Sequence, residues 1–426
     1  MKPKKQVGIL CHLTSLPDPN LGENGALKFC DFLEKMGIGV WQMLPLHPPD
    51  RFGSPYSSTS AFAGWMGFLS NSEQSVSKND FRDFCEINSH WLDDYALFNA
   101  LKKRFNGKAW TEWPEEFRNR EDETMNEVWA SEKELIDTIR HQQFQFEQEW
   151  GCLRETASSS GIRLFGDIPF FVAHDSADVW ASPNHFNLDE NGGPTHVSGV
   201  PPDYFSPTGQ RWGTPLYNWP IHKKDGFRWW IERMKRMFNL FDIVRIDHFR
   251  AIDSAWSIPS HHPTAEHGTW EKGPGDEFLQ AIISEIHGEI VAEDLGIIPE
   301  SVSELRKRHG LPGMAILQFA TNEKNNPHRP ENHTADTVVY TGTHDNDTTV
   351  GWGVKPVDET VIEALNSVSN LAVIPLQDIL KLGSEARMNT PGTKDGNWSW
   401  QCKWDDLNDA NIDWFRTAIK DSGRLN

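Results

Sequence analysis

Short apolar runs rich in Val, Ile and Leu recur along the chain, each closed by a polar or Gly/Pro-rich break and followed by helical spacing. Eight stand out: VGILCHLTSLP (Val7 to Pro17), VWQMLPL (Val40 to Leu46), IRLFGDIPFFV (Ile162 to Val172), DIVRIDHF (Asp242 to Phe249), EIVAEDLG (Glu289 to Gly296), MAILQF (Met314 to Phe319), TVVYTGTHD (Thr337 to Asp345) and LAVIPL (Leu371 to Leu376). Their near-continuous hydrophobicity, without strict polar alternation, fits parallel strands covered on both faces. Eight strands alternating with helices predict an α/β fold of the (β/α)8 barrel type rather than an open sheet.

The spacing of the runs is uneven. Roughly a hundred residues separate the second run from the third, far more than one barrel helix needs. In that interval Ile139, Phe146, Trp150 and Leu153 form one apolar stripe on a segment otherwise crowded with Gln, Glu and His, the mark of an amphipathic helix. We therefore expect a largely helical insertion over 50–160 on the barrel rim. A second insertion, 173–220, carries NLDENGGPTHVSGVPPDYFSPTGQRWG and is too polar to be core; it is expected to be a loop region lining a substrate groove. With no repeat or flexible linker, residues 1–426 read as one catalytic barrel unit with these subdomains.

Composition narrows the partners. Among 426 residues, 41 Lys and Arg face 61 Asp and Glu, a formal charge of -20, which repels nucleic acid and anionic lipid. No run of about 18 apolar residues is available to span a bilayer, and Cys11, His12 and Thr14 interrupt the place where a secretory signal would need its apolar centre. A cytoplasmic protein without nucleic-acid or membrane partners is expected. Five scattered cysteines, with no CxxC pair, point to reduced thiols and no structural zinc. Trp is abundant, 19 against 5 Tyr. Most indoles fill cores, but Trp180, Trp212, Trp219, Trp352, Trp398 and Trp400 lie beside polar, Gly-rich or Pro-rich stretches, where a flat ring can also stack on a sugar.

In a barrel of this kind, reactive groups sit at the carboxyl ends of strands. Those ends supply Asp167, Asp247, Glu293 with Asp294, and Asp345. Carboxylates gathered at one mouth repel one another, so unless a metal neutralises them at least one keeps its proton near neutral pH. One ionised and one protonated carboxyl is what glycosidic chemistry requires. Plainer readings exist for each residue. Arg245 and Asp247, two apart on a strand, could be a buried ion pair; Glu293 and Asp294 could cap a helix; Asp345 in THDND could be a turn residue. A magnesium site stays open for such a cluster, although the sequence has no calcium loop and no phosphate-cradling Gly-rich loop.

These stretches and several others resemble the 4-α-glucanotransferases, the amylomaltase or disproportionating-enzyme family (glycoside hydrolase family 77), relatives of the α-amylases. The resemblance rests on HLTSLP (His12 to Pro17), SPYSSTSAFAG (Ser54 to Gly64), GDIPFFVAHDSADVWASP (Gly166 to Pro183), GVPPDYFSPTGQRWGTPLYNW (Gly199 to Trp219), VRIDHFR, AEDLG, LPGMAILQF, YTGTHDNDTT and LGSEARMNTPGT (Leu382 to Thr393), in the family's order over nearly the whole chain. It implies that Asp247 is the nucleophile, Glu293 the acid/base and Asp345 the third carboxylate. It also implies that Arg245, His344 and Asp167 serve the reacting glucose, and that Tyr56, Asp203, Phe205, Gln210 and Trp212 lie along the glucan groove. Maltooligosaccharides and α-1,4-glucans would be the partners, with no cofactor and no metal. The chain departs from the family pattern at HFRAID, at AGWM, at Gln401 after NWSW, and in a shorter stretch between Trp352 and Leu371. A hydrolase using the same carboxylates and a glucan-binding protein without turnover are the competing expectations. For the transferase, Tyr56, Trp212 and the loop from Ile258 to Gly275 are the expected guards of the acceptor step against water.

Overall fold

The computed structural model describes residues 5–70, 77–202 and 206–425. The eight expected runs form strands Gln6–Leu10, Val40–Gln42, Arg163–Ile168, Ile243–Ile246, Glu289–Ala292, Gly313–Ile316, Thr337–Tyr340 and Leu371–Pro375. Their spatial order is sixth, seventh, eighth, first, second, third, fourth, fifth, with every pairing parallel. The seam between fifth and sixth strands is closed by the Ala292 N–H donating to the Pro312 carbonyl at 2.8 Å. Across the same seam the Met314 N–H donates to Asp294 Oδ1 at 2.8 Å. Asp294, which also pairs with Arg306 at 2.9 Å, thus stitches the barrel instead of capping a helix.

The strands are apolar on both faces because each face meets a different core. In the fourth strand, Ile243 joins Phe165, Val291, Met314 and Ile316 inside the barrel, whereas Val244 and Ile246 join the larger cluster against the surrounding helices. At Gly166 a Cβ would lie 2.2 Å from the ring of Phe241, so only glycine lets the third strand settle on that ring.

Between the second and third strands lie helices Lys78–Ile87, Ser89–Arg104, Glu115–Arg118, Asp122–Ser131 and Lys133–Ser159. The long last one buries Ile139, Phe146, Trp150 and Leu153, and the Trp150 indole N–H donates to the Leu240 carbonyl at 2.8 Å. The apolar stripe is therefore the face on which this helix docks to the barrel wall.

The segment expected as loop, 173–220, is more regular than its composition suggests. His196–Val200 and Gln210–Pro215 are strands of an antiparallel sheet completed by Ser254–Pro259 and Thr269–Lys272. Val197 and Ile258, paired in the sheet, form with Ala265 a separate small core. So few inward apolar side chains leave no periodicity to read, and half of the sheet lies some forty residues further along the chain. Trp180 is also core, ringed by Phe98, Trp113 and the Arg120 guanidinium, and is not available to a sugar.

Candidate active site

Parallel register assembles the centre. Asp167 on the third strand lies opposite Arg245 on the fourth, and both are buried. Arg245 Nη1 donates to the two oxygens of Asp167 at 2.8 and 2.7 Å, while its Nη2 stands 2.8 Å from Asp247 Oδ1. Asp247 follows the last strand residue and still pairs across the sheet, its N–H donating to the Ile168 carbonyl at 3.0 Å; the Glu293 N–H reaches the Ile246 carbonyl at the same distance. Because side chains alternate along a strand, Arg245 and Asp247 share one side. The ion-pair reading and the site reading of these two residues are one arrangement.

At the seventh strand the two readings merge again. Asn346 Oδ1 accepts from the N–H and the hydroxyl of Thr343, both at 2.9 Å, a side-chain-stabilised turn. That turn presents His344 and Asp345. Asp345 Oδ1 accepts from the Asn389 amide at 2.6 Å, its carbonyl from Arg387 at 2.7 Å, and His344 Nε2 lies 3.4 Å from the carboxylate. Tyr56 stacks on His344 with centroids 5.2 Å apart and planes 16° from parallel, and its hydroxyl donates to Asp167 Oδ2 at 2.6 Å. Trp398, 5.8 Å from Tyr56 and 6.0 Å from His344, completes this wall.

A guanidinium supplies the neutralising charge in the cluster. Burial alone would lower the proton affinity of Arg245, but Asp167 and Asp247 outweigh it and the side chain stays charged. Burial raises the pKa of Asp167 against the pull of Arg245. Glu293 is the strongly perturbed carboxyl: burial drives its pKa up to about 8, Arg245 opposes this, the Asp247 carboxylate adds to it, and N–H donors from His248 and Leu295 oppose it. Those donors sit at 2.7 and 3.0 Å from its oxygens. The mouth thus holds a carboxylate oriented by an arginine beside a glutamic acid that keeps its proton at neutral pH, the division of labour that glycosidic acid/base chemistry needs.

Of the groove candidates, Gln210 and Trp212 lie on the antiparallel sheet, with the Trp212 indole N–H donating to Gln210 Oε1 at 3.2 Å. Trp212 is 40% exposed and meets His248 edge-on at 4.8 Å. Asp203 and Phe205 lie outside the described residues. Tyr56, expected on the groove and as a guard of the acceptor step, is anchored on Asp167 and stacked on His344, beside Arg245. Sequence reasoning passed over His248, Arg387 and Asn389, and named Trp398 only as one of the indoles able to stack on a sugar. All four stand in stretches quoted above or next to them, but no spacing links Asn389 to Asp345; only folding brings them together.

Barrels with this pair of carboxyl groups make and break glycosidic bonds through an oxocarbenium-like transition state. The family described as 4-alpha-glucanotransferase matches residues 11–74, 65–360 and 354–408. A 4-alpha-glucanotransferase of Thermus thermophilus is 41% identical, with 94% of this chain and 95% of that one covered. The chloroplastic/amyloplastic 4-alpha-glucanotransferase of Solanum tuberosum is 39% identical over 99% and 87%. Amylomaltase from Streptococcus agalactiae, solved in complex with acarbose, superimposes with a TM-score of 0.92 at 31% identity, covering 99% of this chain and all of that one. The chain belongs to the 4-α-glucanotransferase family. The Thermus alignment runs over 478 positions, so several tens of that relative's residues have no counterpart here. The family match falls into three segments that overlap at 65–74 and 354–360, across the end of AGWM and within the short stretch after Trp352.

Proposed function

We propose that the enzyme moves a segment of an α-1,4-glucan to the 4-hydroxyl of another glucan or of glucose, with retention at the anomeric carbon. Glu293 gives its proton to the glycosidic oxygen while a carboxylate oxygen of Asp247 bonds to the anomeric carbon, and the bond to the leaving glucan breaks. The acceptor then loses its 4-hydroxyl proton to Glu293, its oxygen bonds to the same carbon, and the ester to Asp247 is released. Asp345, held by Asn389 and Arg387, offers its other oxygen to hydroxyls of the distorted sugar. Asp167, Arg245, His344 and Tyr56 form the wall against that sugar; Gln210 and Trp212 line the groove.

The observation carrying this reading is the raised pKa of Glu293 beside the ion-paired Asp247. The residues 50–160 and 173–220 act as rim subdomains of one catalytic unit, and maltooligosaccharides are the substrates. We place the enzyme in the cytoplasm, consistent with scattered cysteines and with the absence, among the described residues, of a helix long and apolar enough to cross a membrane. The test is the product profile from pure maltotriose. Longer maltodextrins with released glucose are expected; shorter sugars alone would make it a hydrolase, and binding without products would leave a glucan-binding protein.

A further inference from the structure

Thr341, directly after the seventh strand, and Thr349, which opens the helix Thr349–Trp352, are both buried, and both bond one side chain from further along the chain. Asp378 stands in the short helix Leu376–Ile379 that follows the eighth strand and is itself 0% exposed. Its Oδ2 accepts from the Thr341 hydroxyl at 2.5 Å and from the Thr349 hydroxyl at 2.7 Å, and its Oδ1 accepts from the Thr349 N–H at 2.7 Å. No cation pairs with it among the described residues; burial raises its pKa, those donors oppose the rise and the Asp347 carboxylate adds to it. A buried carboxyl group without a counter-ion is costly unless its hydrogen bonds are satisfied. Here each of those donors lies at one end or the other of the segment 341–349.

Between those ends the turn of Thr343 and Asn346 presents His344 and Asp345. Other ties hold single points of the segment. Asn389 and Arg387 reach Asp345, the Asn389 N–H reaches the His344 carbonyl at 3.0 Å, Gln318 reaches the Asp347 carbonyl at 2.9 Å, and Ser384 reaches the Asp347 carboxylate at 2.8 Å. Among the described residues, Asp378 alone bonds both ends through its side chain. Strand pairing brings it there: Tyr340 lies opposite Val373 in the parallel register of the seventh and eighth strands, so the residues leaving the two strands emerge side by side. We propose that Asp378 is a positioning residue for Asp345 and His344: by clasping Thr341 to Thr349 it sets the span of the turn from which both project, and so the place of the Asp345 carboxylate against the reacting sugar. The inference rests on the role given to Asp345 above. Asp378 acts through those residues and not on the sugar, and what it supplies is geometry.

A reacting group misplaced by about 1 Å can lose about a hundredfold in rate. Asp378→Ala should therefore slow the cleavage of maltotriose and of a glucosyl fluoride equally, each about a hundredfold, because Asp345 meets the sugar with either donor. The alkaline limb of the pH profile, set by Glu293, should stay in place. Asp378→Asn should keep within about threefold of the wild type: its oxygen still accepts from the Thr349 N–H, and its amide donates to the two hydroxyls, which turn to accept. Non-additivity separates positioning from a general loss of structure. In an Asp345→Asn background, Asp378→Ala should cost less than about fivefold on the fluoride, since the carboxylate that it places is already gone. Thermal melting confirms folding; if the Ala variant does not fold, Thr341→Val combined with Thr349→Val withdraws two of the three donors and takes its place in the cycle, with the same pattern expected. An undiminished hundredfold loss in the Asp345→Asn background, or an Asn variant as slow as the Ala variant, would overturn the role of Asp378. An Asp345→Asn variant as active as the wild type would instead refute the reading of Asp345 itself, whatever Asp378 does.

Discussion

On the proposed assignment, raising the pH removes the proton that Glu293 gives in the first half-reaction. With a pKa of about 8 for Glu293, roughly ten molecules in eleven hold the proton at pH 7 and roughly one in eleven at pH 9. Turnover of maltotriose should therefore fall about tenfold per unit above pH 8. A glucosyl fluoride, whose leaving group needs no proton, should lose much less in its cleavage step. Glu293→Gln should cut maltodextrin cleavage by about three decades, within the range for a general acid, and spare the fluoride. Stability supplies a second reading of the same proton. The folded pKa lies above the ordinary value of 4.5, so the stabilisation linked to it is complete below about pH 4.5 and is lost as the pH rises through about 8. The Gln variant, which has no charge to bury, should gain on the wild type across that window and melt higher at pH 9 than the wild type. Rate profiles on both donors, with thermal melts at pH 5 and 9, decide the matter. A maltotriose profile flat to pH 9.5, or equal losses on both donors, would refute the reasoning.

Asp247→Asn should fold normally and lose on the order of four decades in turnover, as for a member of an interdependent catalytic set; retention of a tenth of wild-type rate in pure protein would exclude it as nucleophile. Tyr56→Phe removes one of the donors to buried Asp167 and should lower transfer and hydrolysis together by about tenfold; a selective rise in hydrolysis, scored as reducing ends against glucose released, would return Tyr56 to the acceptor side. Asn389→Ala frees Asp345 and should lower kcat by about ten- to a hundredfold, with the melting temperature unchanged to within a few degrees; a melting loss large enough to account for the drop would make Asn389 structural. Trp150→Ala should cost about 3–5 kcal/mol in urea unfolding, since the side chain is buried and its indole is hydrogen-bonded, while leaving KM for maltotriose unaltered.

Much of the barrel and its chemistry was legible because both are written locally. A strand covered on two faces must be apolar throughout, so its boundaries show in any window of the chain, and the polar residues that end it, VRIDHF, AEDLG and TGTHD, are by geometry the residues at the mouth. The rim sheet was not legible, because Val197 and Ile258 find each other across some sixty residues and bury too little to leave a pattern.

The sequence by itself determined which carboxyl groups stand at the strand ends, and the resemblance of the stretches around them to the 4-α-glucanotransferases implied the class of bond that the enzyme works on. Tertiary structure alone decided their states. Arg245 lies between Asp167 and Asp247 because the third and fourth strands pair in that register. Glu293 keeps its proton because burial outweighs the pull of Arg245 and two backbone donors. Asn389 meets Asp345 from 44 residues away, and Tyr56 meets Asp167 from 111. Residue type and strand position are properties of a short window of chain, whereas desolvation and the approach of a distant charge depend on how the whole chain packs.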